Sequence, residues 1–378
     1  MAEKGKSRIQ LFIKKVILTF NALAVFALLL SYFAAYVNPA TFSPIAFAGL
    51  SYPVILLINL AFVIFWLFVR WKYSLISILF IALGWNNVGR LIEFHSHQTP
   101  EVNIKYIKTV SYNIQNLVKE STISTKHIQD FSNQSKILKF LKGEKPDIVC
   151  LQELLYDRKG FEKFPAELGK KIGCNNYFLK NYYPKNDKKK LDAIAIFSKF
   201  PIINNGFIKY QQKTIAVFVD IVANNDTLRV FNLHLASLHF RNEDYRFISE
   251  MDIQKNRDNF RKGSGKILYK INRAFQKRGA QTNIIEGALS QSPHPVIVCG
   301  DFNDTPASYT YRKISKGLAD AFVESGSGFA NTYAGKLFPL LRIDHILYNK
   351  SYSSIKFKRH KILLSDHYPV SCLLYKKN

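Results

Sequence analysis

The sequence predicts a two-layer β core flanked by helices, preceded by a membrane-embedded helical segment. Three observations carry this. From residue 105 onward, short apolar strands interleave with polar loops and a few helical stretches, with β dominating. Residues 16–37 and 45–69 contain no charged side chain at all. And the strands repeatedly carry a polar group at their ends, the pattern of a rigid scaffold presenting chemistry at one edge.

The amino-terminal part, residues 1–94, reads as an anchor. A short basic stretch (Lys4, Lys6, Arg8, then Lys14 and Lys15) leads into Val16–Val37, long enough as a helix to cross about 30 Å of hydrocarbon. A cleaved signal peptide is the competing reading, but Ser31 to Ala35 makes a poor exit and more apolar sequence follows. Ile45–Val69 is a second span, in which Pro53 is tolerable. Tyr73 to about Phe94 is a third, weaker one, since it includes Asn86, Asn87 and Arg90; an interfacial helix is its alternative. Arg70 and Lys72 flank the second turn, whereas Asn38–Pro44 carries no charge. The positive-inside rule then puts the N-terminus in the cytoplasm. Three crossings make the remainder extracytoplasmic, on the outer side of the cytoplasmic (inner) membrane; two make it cytosolic.

The catalytic-sized part runs over residues 105–376. Tyr106–Tyr112 alternates as a strand and ends in Asn113-Ile-Gln-Asn116; Lys119–Asp130 reads as a surface loop and Ser135–Leu141 as a helix. Asp147–Leu151 is a buried strand ending in Gln152-Glu153. Further strands are Ala193–Phe197, Ala216–Ile221 and Leu228–Leu235, the last containing His234. A basic helix follows from about Asp252 to Leu289. Pro295–Cys299 is apolar, Gly300 breaks it, and Asp301 and Asn303 come next; Arg342–Leu347 holds Asp344, and Leu363–Val370 holds Asp366 and His367.

The net charge is +26, from 53 Lys+Arg against 27 Asp+Glu. Only eight basic and two acidic residues lie in 1–94, so most of the excess belongs to the second part. That favours anionic partners such as nucleic acid, lipid headgroups or phosphorylated substrates, without choosing among them. Cys150, Cys174, Cys299 and Cys372 form no C-x-x-C pair, so buried free thiols are the expectation rather than zinc or a disulfide.

If the strand ends face one way, Asn113, Glu153, His234, Asp301, Asn303, Asp344, Asp366 and His367 share a pocket. Carboxylates and an amide suit a hard cation, and the inventory has no serine elbow, Walker loop or placed cysteine nucleophile. It suits attack of water on phosphorus, with Asp301 taking the proton and His or Asn donating to the developing charge. Each residue alone has a duller reading, as a strand cap or a satisfied core histidine; six such ends together do not.

Ser-Tyr-Asn-Ile, Leu-Gln-Glu, Asn-Leu-His-Leu, Gly-Asp-Phe-Asn, Arg-Ile-Asp-His-Ile and Ser-Asp-His-Tyr-Pro-Val resemble, in that order, the motifs of the endonuclease/exonuclease/phosphatase (DNase I-like) superfamily. The resemblance implies a four-layer α/β sandwich and Mg²⁺, with Mn²⁺ as the alternative. It implies Glu153 as the main metal ligand with Asn113 beside it and Asp366 facing the metal. It further implies Asp301 at the attacking water, Asn303 and His234 at the phosphate, and His367 there too, oriented by Asp344. His345 departs from the pattern, which usually has Tyr or Phe at that position. The three expected spans resemble membrane-anchored bacterial members with an extracytoplasmic catalytic domain.

The leading expectation is a membrane-tethered, Mg²⁺-dependent phosphoester hydrolase of a lipid-linked or other small phosphate ester, partnered by the lipid bilayer. A membrane-anchored nuclease acting on nucleic acid is the alternative. A non-catalytic membrane binding module is the third reading, disfavoured because Glu153, Asp301 and His367 are all intact.

Overall fold

The computed structural model describes residues 2–96, 99–115, 131–157, 164–183, 190–238, 257–335 and 340–377, with 243, 244 and 247 as isolated positions. The expected loop at Lys119–Asp130 lies outside the described residues.

The amino-terminal part comprises α1 (Ala2–Ala34), α2 (Pro44–Leu50), α3 (Tyr52–Leu83) and α4 (Trp85–Gly89). Two helical stretches, Ile9–Ala34 and Tyr52–Leu83, are long and apolar enough to cross a membrane. The second is not one straight helix: Arg70 leaves helical geometry (φ −158°, ψ 93°) and the chain doubles back. Trp66 and Tyr73 meet across the turn, ring centroids 5.0 Å apart. Ser77 reaches both Asn59 (3.4 Å) and Asn21 (2.7 Å), so three helical arms share one buried polar contact. A buried polar network whose members are paired in this way fixes how the arms pack on one another. The expected third segment is therefore the returning arm of α3. It ends at Leu83 instead of near Phe94, because Gly84 and the polar Asn86-Asn87 pair follow and the chain enters β1 (Ile92–Phe94).

The remaining elements are β2 (Ile107–Asn113), α5 (Phe131–Glu144), β3 (Ile148–Asp157), α6 (Phe164–Ile172), β4 (Asn176–Asn181), β5 (Lys190–Ser198), β6 (Ile202–Tyr210), β7 (Lys213–Ala223) and β8 (Asp226–His234). Then come α7 (Arg257–Ser290), β9 (Val296–Asp301), α8 (Tyr309–Ile314), β10 (Leu318–Asp320), α9 (Ala321–Ser325), β11 (Ser327–Phe329), β12 (Asp344–Asn349), β13 (Tyr352–Arg359) and β14 (Val370–Lys376). Two six-stranded mixed sheets result, ordered β13-β14-β2-β3-β5-β4 and β10-β12-β9-β8-β7-β6.

Alternation within the strands explains the layering. Ile148 and Cys150 face the second sheet, meeting Val219, Val230, Ile297 and Cys299. Their neighbours Val149 and Leu151 face outward, under Ile137 and Leu141 of α5 and Leu168 of α6. Phe231, Leu233 and Val298 do the same on the other side, beneath Ile285 of α7 and Ile314 of α8. Strands covered on both faces lose all polar alternation, which is why they read as unbroken apolar runs. The result is a four-layer α/β sandwich. All four cysteines are buried free thiols.

The sheets align their edges. β2 runs parallel to β3, and β8 parallel to β9, so four C-terminal ends lie together. β12 and β14 are antiparallel to those neighbours and bring their beginnings to the same edge. Asp344 thus opens β12, and Asp366 and His367 precede β14, instead of ending strands, a correction to the sequence reading. Strand β3 is a second one: it continues past Glu153 to Asp157, with a bulge between Leu151 and Leu154.

The amino-terminal helices meet this body at the end where α1 stops and the returning arm emerges. Thr305 Oγ1 donates to Gly49 O (3.2 Å), Phe47 packs edge-on against Phe275 (5.0 Å), and Arg312 lies over Tyr36 (4.0 Å). Arg90 lies over Tyr311 (5.1 Å), while β1 pairs with β11. Lys14 lies over Tyr73, one turn from the Arg70 break, at the opposite end of the bundle.

Candidate active site

Glu153 owes its aim to the β3 bulge, where its φ of 55° turns the side chain out of the sheet's alternation. Its backbone N–H donates to the Tyr182 hydroxyl (2.9 Å), which in turn lies 2.7 Å from His234 Nδ1. Asn113, at the adjacent end of β2, donates through Nδ2 to Glu153 Oε1 (3.2 Å) and Asp301 Oδ2 (3.0 Å). One amide therefore ties the two sheets' carboxylates together.

Asp301 closes β9, opposite Asp344 in β12 and His234 in β8. The preceding Gly300 has φ +133°, and a Cβ there would lie 2.1 Å from Leu233 O; only glycine lets β8 and β9 approach so closely. Asn303, itself at φ 53°, donates its backbone N–H to Asp301 Oδ1 (2.7 Å) and its amide to Asp301 Oδ2 (3.0 Å) and Leu235 O (3.2 Å). The Gly-Asp-Phe-Asn turn thus folds around the Asp301 carboxylate.

His367 Nδ1 lies 2.9 Å from Asp344 Oδ2, leaving Nε2 directed at Asp301 (3.8 Å) and Asp366 (3.8 Å). Asp344 is fixed in turn by Thr332, whose Oγ1 accepts its N–H (3.0 Å). Ser365 Oγ donates to Asn113 O (2.8 Å) and accepts from His367 N (3.1 Å), and Gln115 Oε1 accepts from Asp366 N (3.2 Å). All eight residues singled out in the sequence converge. Tyr182, Thr332, Ser365 and Gln115 complete the frame around them. Ser365 opens the Ser-Asp-His motif and Gln115 directly follows Ser-Tyr-Asn-Ile; Tyr182 and Thr332 carry no sequence signal.

Exposure sorts the carboxylates. The side chains of Asp301 and Asp344 are 1% exposed, those of Glu153 and Asp366 26% and 32%. The cluster is therefore open to solvent at Glu153 and Asp366 and closed at Asp301 and Asp344. Burial raises the Asp301 carboxyl to about 7, opposed by the His367 charge and supported by Asp344. Burial also raises Glu153. For His367 burial acts downward, but Asp344, Asp301 and Asp366 outweigh it and hold the imidazole well above its ordinary range. Asp301, Asp344 and His367 offer ligand atoms within 4.8 Å of one another. The Asp301 and Glu153 carboxyls, both raised by burial and bridged by the Asn113 amide, are a carboxylate set of the kind that fits a hard divalent cation.

Residues 110–367 match the Endonuclease/Exonuclease/phosphatase family. The chain belongs to that family. The match covers the whole edge from β2 to His367 and gives the chain the family's hydrolase fold. Residues 14–91, the amino-terminal helices, match a domain of unknown function (DUF8431). Among curated proteins, the chain is similar to Protein angel of Drosophila melanogaster, 25% identical over 279 residues, 68% of this chain and 70% of that one. Among solved structures it is similar to an endonuclease/exonuclease/phosphatase from Beutenbergia cavernae (15% identity, TM-score 0.49, 72% of each chain). It is also similar to the human Nocturnin catalytic domain with bound sulfate (18% identity, TM-score 0.47, covering 72% of this chain and 95% of that one).

Proposed function

We propose that the protein is a membrane-tethered, Mg²⁺-dependent phosphoester hydrolase whose site faces away from the cytoplasm, acting on a lipid-linked or other small phosphate ester. One observation carries it: a family hydrolase site lies at the edge that abuts the anchor. Thr305 and Ala307, immediately after Asn303, contact Gly49 of α2.

Glu153 would hold the cation with Asn113 beside it and Asp366 facing it; bound Mg²⁺ supplies neutralisation of the phosphate oxygens. Asp301, held near neutral pKa in a buried setting, accepts the proton of the attacking water. His367, kept cationic by Asp344, donates through Nε2 toward the charge that develops on phosphorus-bound oxygen. Asn303 and His234 flank the same volume and orient the phosphate. Tyr182 keeps the Glu153 backbone and the His234 ring in register.

The bundle supports the orientation. Lys14 and the Arg70 turn mark the end remote from the catalytic body, so the positive-inside rule assigns that end to the cytoplasm. A nuclease remains the second reading, favoured by the net charge of +26.

Paired alkaline-phosphatase and fluorescent-protein fusions after about residue 100 and at the C-terminus test the orientation. Active phosphatase and dark fluorescent fusions are expected at both sites; the reverse pattern refutes it. A panel of phospholipid, polyprenyl-phosphate and DNA substrates presented to the reconstituted chain then tests the substrate. Phosphate-ester cleavage of a lipid is expected, and turnover of DNA alone would select the nuclease.

A further inference from the structure

Beyond the catalytic pocket lies a groove of about 600 Å³ between α7 and the β6–β7 hairpin. Its floor begins at Ala236, two residues past His234. Lys266, Lys270, Arg273 and Lys277 line one wall, spaced so that a single face of α7 presents all four. Lys213 from β7 and the rings of Tyr183 and Tyr210 form the other wall. Lys213 stands over the Tyr182 ring (5.1 Å), linking the groove to the residue that braces Glu153 and His234. Of these cations, Lys270 pairs with Asp244.

The groove is also tied to the anchor. Phe275, between Arg273 and Lys277, packs on Phe47 of α2. Gly279, half a turn beyond Lys277, lies so close to Asn38 and Ala40 that a Cβ would meet them at 2.3 and 2.8 Å. The Lys277 end of the cationic wall therefore lies both where the chain leaves α1 and beside the catalytic edge, where Arg278 donates to Ala236 O (2.7 Å) and Gln281 Oε1 accepts from Ala236 N (2.8 Å).

We infer that this groove binds the phosphorylated headgroup of an anionic lipid, holding it so that the ester to be cleaved reaches Asp301 and His367. The inference rests on the proposed lipid-ester activity for its purpose, but headgroup binding itself needs no turnover. Lysine and arginine supply the charge, and the exposed Tyr269 and Tyr183 rings suit the interface between headgroup and acyl chain. Contact with the anchor favours lipid over nucleic acid, since the end of the groove nearest the catalytic edge is also the end that touches the loop after α1.

The test is equilibrium binding to the full chain in neutral detergent, using dihexanoyl phosphatidic acid, inorganic phosphate and a 12-nucleotide single strand as probes. Wild type is expected to bind the lipid at least tenfold more tightly than phosphate. Lys266→Gln/Arg273→Gln, two exposed positions whose replacement leaves the core untouched, is expected to remove that margin. Lys277→Gln serves as an independent second variant. Glu153→Gln is expected to keep the margin, which separates failure of the groove from failure of the catalytic reading. Unchanged lipid affinity in both groove variants overturns the inference. So does a single strand that binds more tightly than the lipid and loses affinity in the same variants, because the groove would then be a nucleic-acid track.

Discussion

Replacing His345 with phenylalanine should change how stability depends on pH more than it changes stability at pH 7. The imidazole is fully buried between the rings of Phe302 (4.6 Å) and Tyr311 (5.0 Å). Burial, reinforced by the nearby Arg342 charge, pushes its pKa down to about 3. In the unfolded chain it would titrate near the ordinary value of 6.5. Between those values the unfolded state binds a proton that the folded state refuses, so stability rises with pH across the window and is lost as pH falls below 6.5. The slope approaches roughly 1.4 kcal/mol per pH unit, which integrates to about 2 kcal/mol between pH 7 and pH 5. A phenyl ring of similar shape keeps the stacking and removes the titration. Denaturant unfolding of wild type and His345→Phe in detergent at pH 5 and pH 7 reads the difference directly. The variant should gain about 2 kcal/mol on wild type over that interval. Parallel pH profiles would show that His345 takes up its proton as readily in the fold as in the unfolded chain and refute the reasoning.

Three further outcomes follow from particular contacts. His367→Ala should lower kcat roughly 10²–10⁴-fold and Asp344→Asn less, with the double variant little worse than His367→Ala; steady-state kinetics giving additive losses would separate the pair. Gly300→Ala should destabilise by roughly 2–5 kcal/mol in denaturant titration, because its Cβ would collide with the Leu233 backbone and its φ is +133°; near-wild-type stability would contradict the strand packing. Gly49→Leu should loosen α2 from the sheet body, since a Cβ there would meet Ala307 O at 3.0 Å and Ala34 at 3.1 Å; hydrogen exchange in residues 303–307 should rise, and unchanged protection would mean the two parts do not bear on each other.

What could be read in the sequence was whatever leaves a local mark. Buried strands with a polar residue at one end, such as Val296–Asp301, announce both the sheet and the site, because apolar runs and hydrogen-bonding groups obey opposite solvation rules. Direction leaves no such mark: nothing in Arg342–Leu347 says that the strand begins at Asp344 and runs antiparallel to β9. Tyr182 was illegible for the same reason. Its hydroxyl joins Glu153 to His234 across 29 and 52 residues of sequence, and no local pattern encodes that distance. The Arg70 turn was half legible, since Arg70 and Lys72 interrupt the apolar run but do not by themselves say that α3 folds back on Asn21 and Asn59. His345 stood out as the odd residue in its motif, and its packing between two rings shows an imidazole used as an aromatic filler.

The central claim is that Glu153 and its neighbours hold a divalent cation for phosphoester hydrolysis. It is tested most directly by hydrolysis of bis(p-nitrophenyl) phosphate by the purified full chain, stripped with EDTA and then supplied with Mg²⁺, alongside Glu153→Gln. The account predicts that EDTA abolishes activity and Mg²⁺ restores it. Glu153→Gln should stay inactive at every Mg²⁺ concentration while unfolding as wild type does. Activity that survives EDTA, or a Glu153→Gln variant with normal turnover and normal Mg²⁺ dependence, would contradict it.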